Sequence, residues 1–299
     1  MINLQYNSPE EKITDQLLDD KGINLFIKRD DLIHPFISGN KWRKLKYNLR
    51  KAASEDKSHL VTFGGPFSNH LLATACAAAK FGFKSTAMVR GEFVENDTLT
   101  LCRLFGMHLI FIDRNRYRNK PKVFEELFGK DQHVFYIAEG GAGQEAVSGC
   151  AELLNELNDT YDHIFCASGT GTTAAGILKG IQAKNLSSEL HAVSALKGGD
   201  FLRADIEQYC ENNPPFSLHT DYHFGGYAKT QPELLQFMQH FSASTGILLD
   251  PVYTGKMLYA VYDLIRRDHF TPGSKILAIH TGGLLGLLGM TKKINESIS

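Results

Sequence analysis

The chain has 299 residues, 43% hydrophobic and 22% charged, the balance of an ordinary globular protein with room for two domains or one large α/β unit. A formal net charge of -1 leaves no global field to hold a nucleic acid or an anionic membrane, so neither is expected as a partner. Five scattered cysteines, without a C-x-x-C pair or a short His/Cys cluster, argue against a disulfide framework and a zinc site.

Met1 to Tyr6 starts no basic stretch leading into an apolar run, so no signal peptide is expected. Residues 41–51 form a local basic run, which by itself reads as a solvated helix face. From His59 onward short β-rich runs alternate with helical patterns. Strands are predicted at His59–Phe63, Ser85–Val89, His108–Ile112 and Val134–Ala138, with helices at Asn69–Lys80, Thr98–Phe105 and Pro121–Phe128. After Gly140-Gly141 comes a long amphipathic helix, Gln144–Leu157. The rhythm then repeats, with strands at His163–Ala167, Leu190–Ala195, Ser217–Phe224 and Lys275–His280. Helices are predicted at Thr173–Ala183, Phe201–Tyr209, Gln231–Ser244 and Lys256–Arg267. The late apolar segment from Ile276 to Met290 is interrupted by His280 and glycines and is too short to span a bilayer. The fold class is α/β, two open parallel-sheet units face to face, with a boundary near Gly140-Gly141.

Ligands of such folds sit beyond the carboxyl ends of the strands. Four glycine-bearing loops fall there: Gly64-Gly65-Pro66, Glu139-Gly140-Gly141, Ser168–Thr172 and Thr281–Gly283. The third, Gly169-Thr170-Gly171-Thr172-Thr173-Ala174, follows a strand and opens a helix, where free amides and threonine hydroxyls suit a phosphate. Its spacing also fits G-x-G-x-x-A, but Ser194-Ala195-Leu196-Lys197 lacks the carboxylate that a dinucleotide ribose requires. No Gly-Lys-Ser/Thr follows, so a Walker loop fails too, and a compact phosphate is favoured.

Upstream, Ser38-Gly39-Asn40-Lys41 offers an amine and Phe67-Ser68-Asn69-His70 a polar helix start. With Lys28–Asp31, Asp250–Lys256 and His280–Gly283 in order, the chain from residue 25 onward resembles the pyridoxal-phosphate enzymes of fold type II. It is most similar to the aminocyclopropane-carboxylate deaminase and D-cysteine desulfhydrase family. The resemblance implies pyridoxal 5'-phosphate, a Schiff base on Lys41, and phosphate contacts from Lys44 and from Thr170, Gly171, Thr172 and Thr173. Asn69 would bond the cofactor's phenolic oxygen, and Thr281 or Thr254 would face the pyridine nitrogen. Ser68, Asn69 and His70 would receive the substrate, with Lys41, Ser68, Tyr227 and Tyr253 in catalytic roles.

Read singly, Asp30-Asp31 is a turn or helix-cap pair, His280 a strand-end core residue and His70 a helix-start histidine. The resemblance further implies a large cofactor domain (1–42 plus 145–299), a small α/β domain (43–144), a cleft between them, and a homodimer; the cysteine pattern and the amino-terminal residues make a reducing cytoplasm the expected compartment. Deaminases of the family carry glutamate where this chain has Thr254. A hydroxyl stabilises a protonated ring less than a carboxylate, which favours β-elimination from a small D-amino acid such as D-cysteine over cyclopropane ring opening. Two alternatives stay open, an aminocyclopropane-carboxylate deaminase and a non-catalytic cofactor-binding protein.

Overall fold

The computed structural model describes residues 2–37, 39–212 and 214–298. Met1 and Ser38, the latter at the head of the Ser38–Lys41 motif, lie outside the described residues. In chain order the amino-terminal part holds β1 (Glu10–Lys12), α1 (Gln16–Lys21), β2 (Asn24–Lys28) and α2 (Asn40–Ser54). The next stretch holds β3 (His59–Gly64), α3 (Asn69–Phe81), β4 (Lys84–Arg90), α4 (Asp97–Leu104), β5 (His108–Ile112), α5 (Arg114–Tyr117), α6 (Lys120–Phe128) and β6 (Val134–Ile137). The remainder holds α7 (Gln144–Ala151), β7 (His163–Ser168), α8 (Thr172–Ala183), β8 (Glu189–Ser194), α9 (Leu202–Glu207), β9 (Ser217–His219), α10 (Pro232–Thr245), α11 (Thr254–Arg266), β10 (Lys275–Ile279) and α12 (Thr291–Ile298).

The strands form two sheets. One is four-stranded, ordered β5-β4-β3-β6, with every pair parallel. The other is six-stranded, ordered β1-β2-β10-β7-β8-β9, and parallel except that β1 runs antiparallel to β2. The second sheet is therefore mixed at one edge, where the sequence suggested parallel strands only. Central strands such as β3 and β7 are near-continuous apolar runs because both faces are covered by helices. Among the described residues no helix is long and apolar enough to cross a membrane.

Most predicted elements match to within a residue or two, but several do not. The expected helix Gln144–Leu157 stops at Ala151 and tightens into a 3-10 turn over Glu152–Asn155. Gly176 and Gly180 of α8 press against this segment so closely that a Cβ on Gly176 would lie 2.7 Å from Val147 O. The tighter turn also lets Lys184 Nζ donate to Leu154 O and brings Glu156 back towards α2. The strand expected at Ser217–Phe224 ends at His219, and the chain then turns, with positive φ at Phe224, Gly225 and Gly226. The helix expected at Phe201–Tyr209 shortens to α9 behind one 3-10 turn, Gly199–Phe201. The elements before β3, including α2, fall where no alternating pattern was read. The expected domain boundary after residue 42 falls inside α2, so the chain crosses it as continuous helix.

The basic run is not a solvated face. Arg43 and Lys44 are only 2% and 3% exposed. Arg43 Nε and Nη2 donate to the two carboxylate oxygens of Asp30 at 2.6 and 2.7 Å. Its Nη1 and Nη2 donate to Glu156 at 2.8 Å each. Ser8 Oγ donates to Asp30 as well, and Tyr6 OH to Glu156. Asp30 is thus a fully buried anchor in a 3-10 turn, where the sequence suggested a plain turn or cap. A buried guanidinium is tolerated only because its donors are met by two carboxylates.

Removing one partner strands a buried charge, so Asp30→Ala should cost about 3–5 kcal/mol in denaturant unfolding. Burial works against the Glu156 carboxylate, yet hydrogen bonds from Arg43 hold its pKa below the ordinary value. Its contribution is therefore present above the ordinary carboxylate range and lost as pH falls through the lowered value. Glu156→Gln should flatten the acid limb of stability against pH while leaving the neutral-to-alkaline slope unchanged.

Candidate active site

The four glycine loops meet where the carboxyl ends of the two sheets face each other. An inner cavity of about 200 Å³ is walled by Gly140, by Ser168–Gly171 and by Thr281–Gly283. It opens into an outer cleft of about 980 Å³ that adds Gly65, Pro66 and Glu139. Lys41, Asn69, Gly140, Gly169, Thr170 and Tyr253 line both spaces, so Lys41 stands at their junction.

The position of Lys41 follows from the start of α2. Gly39, at φ 60°, caps the helix, and a Cβ there would sit 1.7 Å from Thr281 O. Only glycine lets the two backbones approach this closely. Gly39 N donates to Asp30 O, and Asn40 N donates to Thr281 O. Asn40 Nδ2 donates to Thr173 Oγ1 at 3.0 Å, tying α2 to the head of α8. Lys41 Nζ donates to Asn40 Oδ1 at 3.1 Å. One turn on, Lys44 Nζ reaches Gly140 O and Thr170 Oγ1 at 3.4 Å each. Residues i and i+3 share a helix face, so both amines look into the cavity while Arg43 anchors the helix from behind.

The electrostatics are those of two amines enclosed together. Burial, followed by the charge of Lys44, lowers the Lys41 pKa to about 7. Burial also lowers that of Lys44. His70 is pushed well below its usual value by burial and then by both lysines, so its ring is neutral. Its Nε2 pairs with Thr62 Oγ1, and Nδ1 has no partner among the described residues. His70 borders the outer cleft but is 2% exposed, packed into the core beneath it. Ser68 caps α3 and lines the cleft, its Oγ accepting from Leu71 N.

The threonine loop leads into α8; the Thr172 amide donates to Thr170 O, and those of Thr173 and Ala174 precede the bond from Ala175 N to Gly171 O. Thr170, Gly171 and Thr173 line the inner cavity, whereas Thr172 is turned away from it and bonds Thr170. Ser168 Oγ, buried in the cavity wall, has no oxygen or nitrogen partner among the described residues. Paired amines at one side and an amide-and-hydroxyl cradle at the other fit an aldehyde that carries a phosphate. Thr281 lines the cavity as expected, but Thr254 does not. The Thr254 hydroxyl donates to Asp250 Oδ2 at 2.7 Å and accepts from Asp250 N at 2.9 Å, in a fully buried pair.

Sequence reasoning passed over three positioning groups. The Asp250 carboxylate accepts from the amides of Val252, Tyr253 and Thr254, and so aims Tyr253. Asp followed two to four residues later by a helix start was a readable signal. Lys256, fully buried, donates to the carbonyls of Ala195, His223 and Gly226, pinning the loop that carries Tyr227. His280 Nε2 donates to Leu248 O while Nδ1 accepts from Gly282 N, fixing the Thr281–Gly283 loop from a fully buried strand end. The rings of Tyr227 and Tyr253 meet edge to face at 6.2 Å across the outer cleft.

An amine with a lowered pKa is nucleophilic where ordinary lysines are protonated. In cofactor-free protein, Lys41 should form a borohydride-trapped adduct with a small aldehyde at half-maximal rate near pH 7. The rate should fall below that pH as the amine protonates; peptide mapping across a pH series checks it.

Residues 14–282 match the family model described as pyridoxal-phosphate dependent enzyme. A bifunctional D-cysteine desulfhydrase/1-aminocyclopropane-1-carboxylate deaminase from Arabidopsis thaliana is 30% identical, over 89% of this chain and 74% of that one. A Pyrococcus furiosus protein provisionally named 1-aminocyclopropane-1-carboxylate deaminase is 31% identical, over 91% of this chain and 88% of that one. A crystal structure described as an ACC deaminase homologue superposes with a TM-score of 0.86 at 28% identity, covering 98% of this chain and 94% of that one.

Proposed function

Because the chain belongs to the pyridoxal-phosphate-dependent enzyme family, within the group of aminocyclopropane-carboxylate deaminases and D-cysteine desulfhydrases, we propose that it eliminates a β leaving group from a small D-amino acid. D-cysteine is the expected substrate, with pyruvate, ammonia and hydrogen sulfide as products. The observation that carries this reading is the Lys41 amine, its pKa lowered to about 7, at the junction of a cavity walled by the threonine loop and an open cleft.

Pyridoxal phosphate, when bound, supplies an electron sink that acidifies the α-hydrogen of an amino acid. In this reading Lys41 Nζ holds the cofactor covalently, while Lys44 and the amides and hydroxyls around Thr170, Gly171, Thr172 and Thr173 hold its phosphate. Thr172 would hold the loop's shape, since its amide donates to Thr170 O and its hydroxyl meets that of Thr170. Asn69 and Thr281, which line the inner cavity, would border the cofactor's ring. Ser68 and the start of α3 receive the substrate carboxylate. The Lys41 amine, with its lowered pKa, would be the base that takes the substrate's α-proton. Tyr253, whose phenol is kept protonated chiefly by burial, gives a proton to the departing thiolate, with Tyr227 beside it.

Thr254 supports elimination over ring opening. The position that carries glutamate in the deaminase pattern holds a hydroxyl already committed to Asp250, so Thr281, which lines the inner cavity, would be the hydroxyl left to meet the cofactor's ring nitrogen. The weaker sink is sufficient to expel a thiolate. The reading extends to a large unit of residues 1–42 and 145–299 closing on a small unit of 43–144. It also places the enzyme as a homodimer in the cytoplasm, supported by the family resemblance and by five cysteines that are all free thiols.

D-cysteine and aminocyclopropane-carboxylate assayed side by side test the substrate. Pyruvate release from D-cysteine should exceed ring opening, and Lys41→Ala should lower it by at least about 1,000-fold. Oxobutyrate formation without pyruvate release would reverse the assignment.

A further inference from the structure

At the opposite ends of the strands from the cleft, three histidines stack across the larger sheet. His163 opens β7 and Glu189 opens β8, with His191 two residues into β8 and His219 closing β9. Strand pairing sets His163 opposite Glu189, so parallel register brings their side chains to one edge. His163 Nδ1 lies 3.0 Å from His191 Nε2 and 3.7 Å from Glu189 Oε2. His191 Nε2 lies 3.6 Å from the same Glu189 oxygen. The three donor atoms thus form a nearly equilateral triangle.

That triangle has the dimensions of a coordination face. Bonds of about 2.1 Å from zinc to nitrogen or oxygen, in a tetrahedron, place the donors about 3.4 Å apart. The three edges bracket that distance. We propose that His163 Nδ1, His191 Nε2 and Glu189 Oε2 bind one Zn(II), with water completing the tetrahedron from the exposed side of Glu189.

The surroundings already supply the second layer of contacts that such ligands need. His191 Nδ1 lies 3.0 Å from His219 Nε2, a partner that can take a proton held on Nδ1 when a metal occupies Nε2. Ser217 Oγ donates to Glu189 Oε1 at 2.5 Å, turning Oε2 towards the imidazoles. Phe165 stacks on His191 at 4.3 Å and Phe270 packs on His163 at 4.7 Å, holding both rings in place. Two imidazoles and one carboxylate suit Zn(II) better than calcium or magnesium, which prefer all-oxygen shells.

The site is structural with respect to the chemistry at the cleft. From His163 to Ser168 the strand spans about 16 Å, which keeps the metal away from the cavity. Binding would join the starts of β7 and β8 and raise stability by mass action.

Cofactor-loaded full-length protein, freed of metal by a chelator and then titrated calorimetrically with Zn(II), tests the proposal. One equivalent should bind, and Co(II) in its place should give the intense visible bands of a tetrahedral site. Glu189→Gln and His163→Phe, which leave buried His191 untouched, should each weaken Zn(II) by more than about 100-fold, and Ser217→Ala by about 10-fold. Pyruvate release from D-cysteine in metal-free buffer should match the parent in all three. Failure to bind a stoichiometric ion, or parent affinity in either ligand variant, would overturn the proposal. Those readings do not depend on which amino acid the cleft takes.

Discussion

The Arg43 guanidinium, clasped between Asp30 and Glu156, is the contact on which the site rests. It fixes α2 in rotation and depth, and α2 carries both amines of the cavity. Asp30 comes from the turn after β2, in the six-stranded sheet's portion of the chain, and Glu156 from the segment after α7. The same Asp30 uses its carbonyl to accept from Gly39 N, so one residue sets both the side and the end of the helix. A charge this deeply buried cannot relax into water, which makes the geometry all-or-none.

Against that rigid support the protein sets two amines that disfavour each other's charge. Lys41 and Lys44 share one helix face and one enclosed space, and no carboxylate makes an ion pair with either among the described residues. Asp250 lies near enough to offset part of the shift, but its oxygens are occupied by the backbone amides that aim Tyr253. The outcome is an amine whose pKa lies near 7, beside a loop rich in hydroxyls at the head of α8. An anion is the group such surroundings favour, since amines and the start of a helix both attract negative charge.

Several parts of this arrangement can be read from the chain. Alternating apolar runs and capped helices place β3 to β8 because each is a local pattern: Ser68 before α3 and Gly82 after it mark that helix unaided. The glycine loops fall at the strand ends for the same reason. The amino-terminal elements were less visible, since β1 spans three residues and pairs with β2 across a turn containing α1. The shortened α7 was invisible too, being set by Gly176 and Gly180 of another helix.

By itself the sequence determined which groups exist and in what order: an amine after Gly39-Asn40, a polar helix start at Ser68, a threonine loop before α8. These are local facts, fixed by residue type and spacing along a single backbone. Only the tertiary structure decided that the Lys41 pKa is lowered to about 7, that Thr254 spends its hydroxyl on Asp250, and that His163 and His191 meet Glu189. Each depends on burial or on partners brought together from distant segments, and the free energy of a charge or a hydrogen bond is set by those surroundings rather than by its neighbours in the chain.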